Sequence, residues 1–147
     1  MVSSRRELNR SRMGMELPTT VRPFLMFEGR AEEAITFYVA LIPNSALVEI
    51  ARYGAGEPGP EGSVKFAVVR LAGQPVLFTD SFVSHGFSFT PSFSLFVDCE
   101  SEAELERIFA ALSEGGGVLM PLGDYGFSRR FGWTNDRFGV LWQVNLP

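Results

Sequence analysis

His85 is the single histidine in the chain, and imidazole is the side chain best suited to proton transfer near neutral pH. It stands between Ser84 and Gly86 with no adjacent acidic residue to orient the ring, so a solvated loop histidine is the competing reading. Arg129 and Arg130 sit among Phe127, Phe131 and Trp133, a combination that can grip an anionic or planar ligand by paired hydrogen bonds or by cation–π contact. A solvated pair on a long loop is the alternative there. Gly54, Gly56 and Gly59 satisfy the spacing G-x-G-x-x-G, but Pro58 and Pro60 follow, and then a strand pattern. A nucleotide or S-adenosylmethionine cradle needs a helix at that point to receive an anion. We read a hairpin turn, which removes the sequence basis for methyl transfer. The last candidate is Gln143, an uncharged amide in the otherwise apolar run GVLWQVNLP.

The elements that position these residues follow from periodicity. VRPFLMF is extended, and AEEAITFYVALIP places Ala31, Ala34, Ile35, Tyr38 and Leu41 at helical spacing, with Glu32 and Glu33 in the first turn and Pro43 as the stop. SALVEIARY, SVKFAVVRL and QPVLFTD read as strands, the last two joined tightly at Ala72-Gly73. After a connector over residues 81–91, the pattern starts again. PSFSLFVDC predicts a strand from Ser92, and SEAELERIFAALSEGGG predicts a helix with Ser101 and Glu104 as a capping box, Leu105, Ile108, Phe109 and Leu112 as its apolar stripe, and Gly115 as its stop. Three further strand patterns lie in GVLMPL, YGFSRRFGWT and GVLWQVNL. The chain therefore reads as an internal repeat, an α+β fold of two β-α-β-β-β modules, one over residues 21–80 and the other over residues 92–147. The helix-free faces of two such sheets, set side by side, can curl around a common cavity.

Composition narrows the function. The 147 residues are 46% hydrophobic and include 14 Phe, enough for a sizeable core and for an apolar ligand cavity. Residues 1–20, with Arg5, Arg6, Arg10 and Arg12 against Glu7 and Glu16, lack apolar periodicity and read as a flexible arm or a start placed too early. The remaining chain has nine basic and fifteen acidic residues, which argues against nucleic acid as a partner. No apolar run approaches the ~20 residues of a membrane span. Cys99 stands alone, which fits a reducing, cytoplasmic compartment.

The repeat, with the blocks PFLMFEGRAEEAITFY, LAGQPVLFTD, SFSLFVDCESEAELERIFAALSEGG and FGWTNDRFGVLWQVN, resembles the vicinal oxygen chelate superfamily, which includes glyoxalases and bleomycin-resistance proteins. Within it the chain is similar to the PhnB-like branch, often labelled 3-demethylubiquinone-9 3-methyltransferase. The resemblance implies a curved sheet around a cavity, usually a homodimer, and in metal-dependent members His, Glu or Gln ligands on the first and last strand of each module. Carried onto this chain, the inward positions are Arg22, Phe24 and Met26 on the first strand, Thr79 or Asp80 on the fourth, Ser92, Ser94 and Phe96 on the fifth, and Gln143 on the last, where the metal enzymes have glutamate. That set falls short of the three or more donors that catalytic divalent ions use.

The expectation is therefore a protein that binds a small, mostly apolar or oxygenated molecule in the cavity between the modules without a metal. Its pocket would be formed by Arg22, Phe24, Met26, Ser94, Phe96, Arg129, Arg130, Trp133, Leu141 and Gln143. Two alternatives stand beside it. One is a glyoxalase-type isomerase or lyase with Asp80 or His85 as base, Arg22 as electrophilic support and a weakly bound divalent metal. The other is a dimeric interaction module whose pocket is filled.

Overall fold

Two four-stranded mixed sheets, each carrying one helix, make up the structure, a computed structural model that describes residues 18–147. The arm expected over residues 1–20 lies, up to residue 17, outside the described residues. Module one runs β1 (Phe24–Phe27), α1 (Ala31–Leu41), β2 (Ala46–Arg52), β3 (Val64–Leu71) and β4 (Gln74–Asp80), with spatial order β1-β4-β3-β2. Module two repeats this as β5 (Leu95–Asp98), α2 (Glu102–Ser113), β6 (Gly117–Gly123), β7 (Arg130–Asn135) and β8 (Leu141–Leu146), in order β5-β8-β7-β6. In both sheets the first and last strands of the module pair in parallel and the others are antiparallel.

Strand alternation gives each sheet two unlike faces. Leu25, Phe27, Ala67, Val69, Val76 and Phe78 face α1, and Trp142, Val144 and Leu146 face α2; the two helix-covered faces merge into one core. Each fully buried aliphatic or aromatic side chain there contributes ~1.5–3 kcal/mol. The opposite face of each sheet has no helix. It carries Phe24 and Met26 beside Leu77 and Thr79 in module one, and Phe96 beside Gln143 and Trp133 in module two. Phe24 and Phe96 are each 54% exposed.

The helix signals act as the sequence predicts, with one change of partner. The Ser101 hydroxyl accepts the Glu104 N–H at 3.1 Å, but Glu104 reaches back to the Glu100 N–H rather than to that of Ser101. The strand expected from Ser92 begins only at Leu95. Pro91 and a turn closed by Phe93 N–H to Thr90 C=O use the preceding residues, and the connector therefore extends to Ser94. Gly54, Gly56 and Gly59 lie in the loop joining β2 to β3, where Gly62 N–H returns to the Tyr53 carbonyl. No helix follows it.

Asp136 joins the modules. One of its carboxylate oxygens accepts the Phe138 and Val140 N–H groups at 2.9 and 3.0 Å; the other accepts the Tyr38 hydroxyl of α1 at 2.5 Å and the Trp142 indole N–H of β8 at 2.9 Å. Burial holds the Asp136 carboxyl above its usual range against these four donors and pushes the Tyr38 phenol strongly upward. Around this node Arg137 lies over the Phe37 ring at 4.1 Å and Arg30 over Phe138 at 4.5 Å. Cys99 closes the turn between β5 and α2, its N–H bonded to the Asn145 carbonyl; burial raises its buried thiol to about 11. An amide in place of the Asp136 carboxylate must turn its NH2 group toward two donors, and a buried unpaired donor costs ~1–3 kcal/mol. Asp136→Asn is expected to destabilise the protein by ~2 kcal/mol or more, measured by urea unfolding against the unmodified chain.

Candidate functional site

On the sheet faces away from the helices, the four innermost positions of the parallel pairs are Met26 with Thr79 and Phe96 with Gln143. They offer a thioether, a hydroxyl, a phenyl ring and a neutral amide. Gln143 Nε2 donates to Ser94 Oγ at 3.3 Å, and Thr79 Oγ1 donates to the Lys65 carbonyl at 2.8 Å. Hard divalent ions select carboxylates and clustered oxygens, and zinc or iron selects imidazole or thiolate. These side chains do not fit such an ion. Among the described residues no group of three or more His, Cys, Asp or Glu side chains is arranged to hold one.

A cavity of about 190 Å³ opens at the seam of the modules. Phe24 and Leu25 of β1, Leu95 of β5, Leu141 of β8 and Phe89 and Phe93 of the connector line it. Its walls are mainly apolar, with the Ser88 and Thr90 side chains as polar additions. The cavity thus brings together Phe24 and Leu141 from the sequence-derived pocket, while Ser94, Phe96, Gln143 and Trp133 form a separate row across module two. Arg22 precedes β1 and is half-buried; Met26 continues its alternation.

Three residues stand elsewhere than expected. Asp80 pairs with Phe27 and shares its helix-covered face, only 3% exposed. One of its oxygens accepts the Gly29 and Ala31 N–H groups at 2.9 Å, and the other accepts Val64 N–H at 2.9 Å. Its carboxylate caps the first turn of α1 from a neighbouring strand, in a helix whose own N-cap residue Arg30 supplies no side-chain cap. A base needs a free lone pair facing substrate, and Asp80 points into the core. Arg130 pairs with Leu146 on the face toward α2 and binds Glu106 at 2.7 Å, away from the pocket to which it was assigned. Arg129 is exposed, its Nε donating to the Pro147 carbonyl at 2.6 Å.

His85 lies in the connector, with a ring nitrogen 2.9 Å from Ser81 Oγ and its ring stacked on Phe87 at 4.9 Å. Its backbone N–H donates to Glu28 Oε1 at 3.2 Å. The only local cue to this Ser81–His85 pair is a spacing of four residues. Sequence reading also missed an aromatic group beside the Gln143 row. Phe131 packs with Phe127 at 4.9 Å, Tyr125 at 6.0 Å and Phe96 at 6.4 Å. The density of rings in YGFSRRFGW was the available signal.

Paired β-α-β-β-β modules with helix-free sheet faces define the class of fold seen in glyoxalase/bleomycin-resistance proteins. A "glyoxylase/bleomycin resistance protein/dioxygenase domain" from Frankia shares that fold at 14% identity, with a TM-score of 0.61 over 89% of this chain and 98% of the other. Within this class the chain belongs to the family described as 3-demethylubiquinone-9 3-methyltransferase, whose model matches residues 19–145. A Bacillus cereus protein described as a putative 3-demethylubiquinone-9 3-methyltransferase, PhnB protein, is 49% identical, with a TM-score of 0.85 over 88% of this chain and 100% of its own. Protein YjdN of Escherichia coli is 27% identical over 137 residues, 84% of this chain and 92% of the relative.

Replacing Asp80 by asparagine turns an NH2 group toward at least one of its three backbone N–H donors, that of Val64 if the amide oxygen keeps Gly29 and Ala31. Asp80→Asn is expected to cost ~2 kcal/mol of stability, read by thermal or urea unfolding. Unchanged stability would remove the capping role.

Proposed function

We propose that this PhnB-like protein binds a small, mostly apolar or oxygenated molecule at the helix-free sheet faces and the seam between its modules, without a metal ion. The observation that carries this reading is the apolar cavity lined by Phe24, Leu95 and Leu141, beside sheet positions whose side chains are unsuited to a divalent ion. A space of that size accommodates about one ring; a dry cavity of comparable volume takes up benzene. The same cavity speaks against a pocket filled throughout by side chains. The family's description names a methyl transfer, but the G-x-G-x-x-G loop is a hairpin connection with no helix N-terminus for an anionic cofactor.

The reading extends to a homodimer. Phe24, Phe96, Phe93 and Phe127 are all more than half exposed, more apolar ring surface than a monomer leaves without use, and a second copy laid on these faces would enclose the ligand. An acidic body and a lone Cys99 support a cytoplasmic setting with no nucleic-acid partner. No helix among the described residues is long and apolar enough to cross a membrane.

One contact favours the enzymatic alternative: Ser81 Oγ lies 2.9 Å from the His85 ring, within reach for general-base catalysis. Among the described residues no third group bonds the other ring nitrogen. If this pair is catalytic, His85→Gln abolishes a turnover that the unmodified chain shows, and unchanged turnover ends that reading.

Two measurements test the main proposal. Plasma mass spectrometry on protein purified without nickel, then challenged with manganese, iron, nickel and zinc, is expected to find less than a tenth of an equivalent retained after dialysis; one retained equivalent would overturn the metal-free reading. A thermal-shift screen of small apolar and oxygenated compounds is expected to yield ligands that raise Tm, because a ligand at 100 times its Kd adds ~2.7 kcal/mol. Absence of any stabilising compound would count against ligand binding.

A further inference from the structure

The helix-free face of module two is built in two cross-strand rows, Phe96–Gln143–Trp133 and Asp98–Asn145–Phe131. Tyr125 and Phe127, from the loop after β6, complete the ring group around Phe131. Phe127 is 63% exposed, with Phe96 and Tyr125 also exposed, so ring surface on this face is left in water. Beneath the rings the polar accounting does not close. Asn145 is 8% exposed; its Nδ2 donates to Asp98 Oδ1 at 2.9 Å, while its Oδ1 has no hydrogen-bond partner among the described residues. Trp133 Nε1, one register step away, is likewise buried and unpaired. Buried polar groups are almost always satisfied, so two orphans on one face, under exposed rings, mark groups whose partner arrives from outside.

We propose that this face is a stacking site for a flat aromatic or conjugated ring bearing an O–H or N–H donor on its edge. The inference rests on the small-molecule reading above and names the ligand class. The ring lies offset against the exposed Phe127 and Tyr125 rings and meets Phe131, set at 72° to Phe127, edge to face, both arrangements that ring quadrupoles favour, and the donor reaches Asn145 Oδ1 as the exposed Phe96 ring turns aside, a rotamer change open to surface side chains. Planarity is set by the exposed rings: the Tyr125 and Phe127 planes lie 19° apart, with Phe131 edge-on to them at 89° and 72°. The donor requirement is set by Asn145, since its Nδ2 is already bonded to Asp98 and its Oδ1 acceptor is the buried amide atom left to pair. A second copy of the chain bringing only apolar rings would cover the face but leave that oxygen unpaired.

The test uses the full chain, labelled with nitrogen-15, and two probes of one shape: 2-naphthol, which has the donor, and 2-methoxynaphthalene, in which it is blocked. Titration calorimetry is expected to show 2-naphthol binding at least fivefold more tightly. NMR is expected to show shifts at the Trp133 indole N–H and the Asn145 side-chain amide, with the Trp142 indole, held by Asp136, unmoved. Phe127→Ala, on an exposed loop, should weaken both probes severalfold, and Asn145→Leu should abolish the preference while retaining 2-methoxynaphthalene. Should Asn145→Leu fail to fold, the probe pair and Phe127→Ala carry the test alone. Equal affinity of the two probes, or shifts confined to the seam around Phe93 and Leu141, would overturn this site while the small-molecule reading stands. Binding of neither probe, with no stabilising compound in the thermal-shift screen, would bring down both. Loss of a dimer in sedimentation on Phe127→Ala, with no probe bound, would make the face an interface between copies and overturn the proposal.

Discussion

Most of this architecture depends on one buried carboxylate. Asp136 gathers the α1 phenol of Tyr38, the β8 indole of Trp142 and two backbone N–H groups of its own turn, joining residues 98 apart in the chain. A buried anion is tolerable only where donors replace its water, and the four donors come from both modules. The relative setting of the modules is therefore fixed by hydrogen-bond geometry as well as by fit of apolar side chains. The seam cavity inherits that setting, since β1 forms one wall and β5 and β8 form the other.

Asp80 plays a comparable part within module one. It sits where a family comparison looks for function, at the end of β4, and yet its lone pairs are committed to the α1 turn and to Val64 N–H. The two buried aspartates divide the labour: Asp80 shapes a module and Asp136 joins the pair. What is left for a ligand is the chemistry of Gln143, Ser94, Asn145 and the rings, a set of neutral hydrogen-bonding groups on an apolar ground.

Residues 31–41 and 102–113 were readable as helices because their apolar spacing, first-turn acids and, for the second, capping serine all agree. The repeat and the sheet-forming runs were readable for the same reason: they depend on neighbours a few residues away. Direction on the strands was not. Whether Asp80 or Thr79 faces the ligand side is a one-residue question of parity, settled by which face α1 covers, while Arg130, read as part of a loop at the cavity mouth, begins β7 and pairs with Glu106 of α2. Asp136 has no local signature, because its partner Tyr38 belongs to the other module. Ser94 and Gln143 were both named, but their hydrogen bond spans 49 residues and has no local signature.

Cys99 gives the fold a built-in clock. Its thiol is buried at the turn from β5 into α2, where its backbone is tied to Asn145, and no second cysteine occurs in the sequence. A thiol-reactive reagent can modify it only when that corner opens, and the raised thiol pKa keeps its closed-state reactivity low. The rate of modification therefore times the opening of that corner, in the unaltered protein, and a ligand seated across β5 and β8 would slow it.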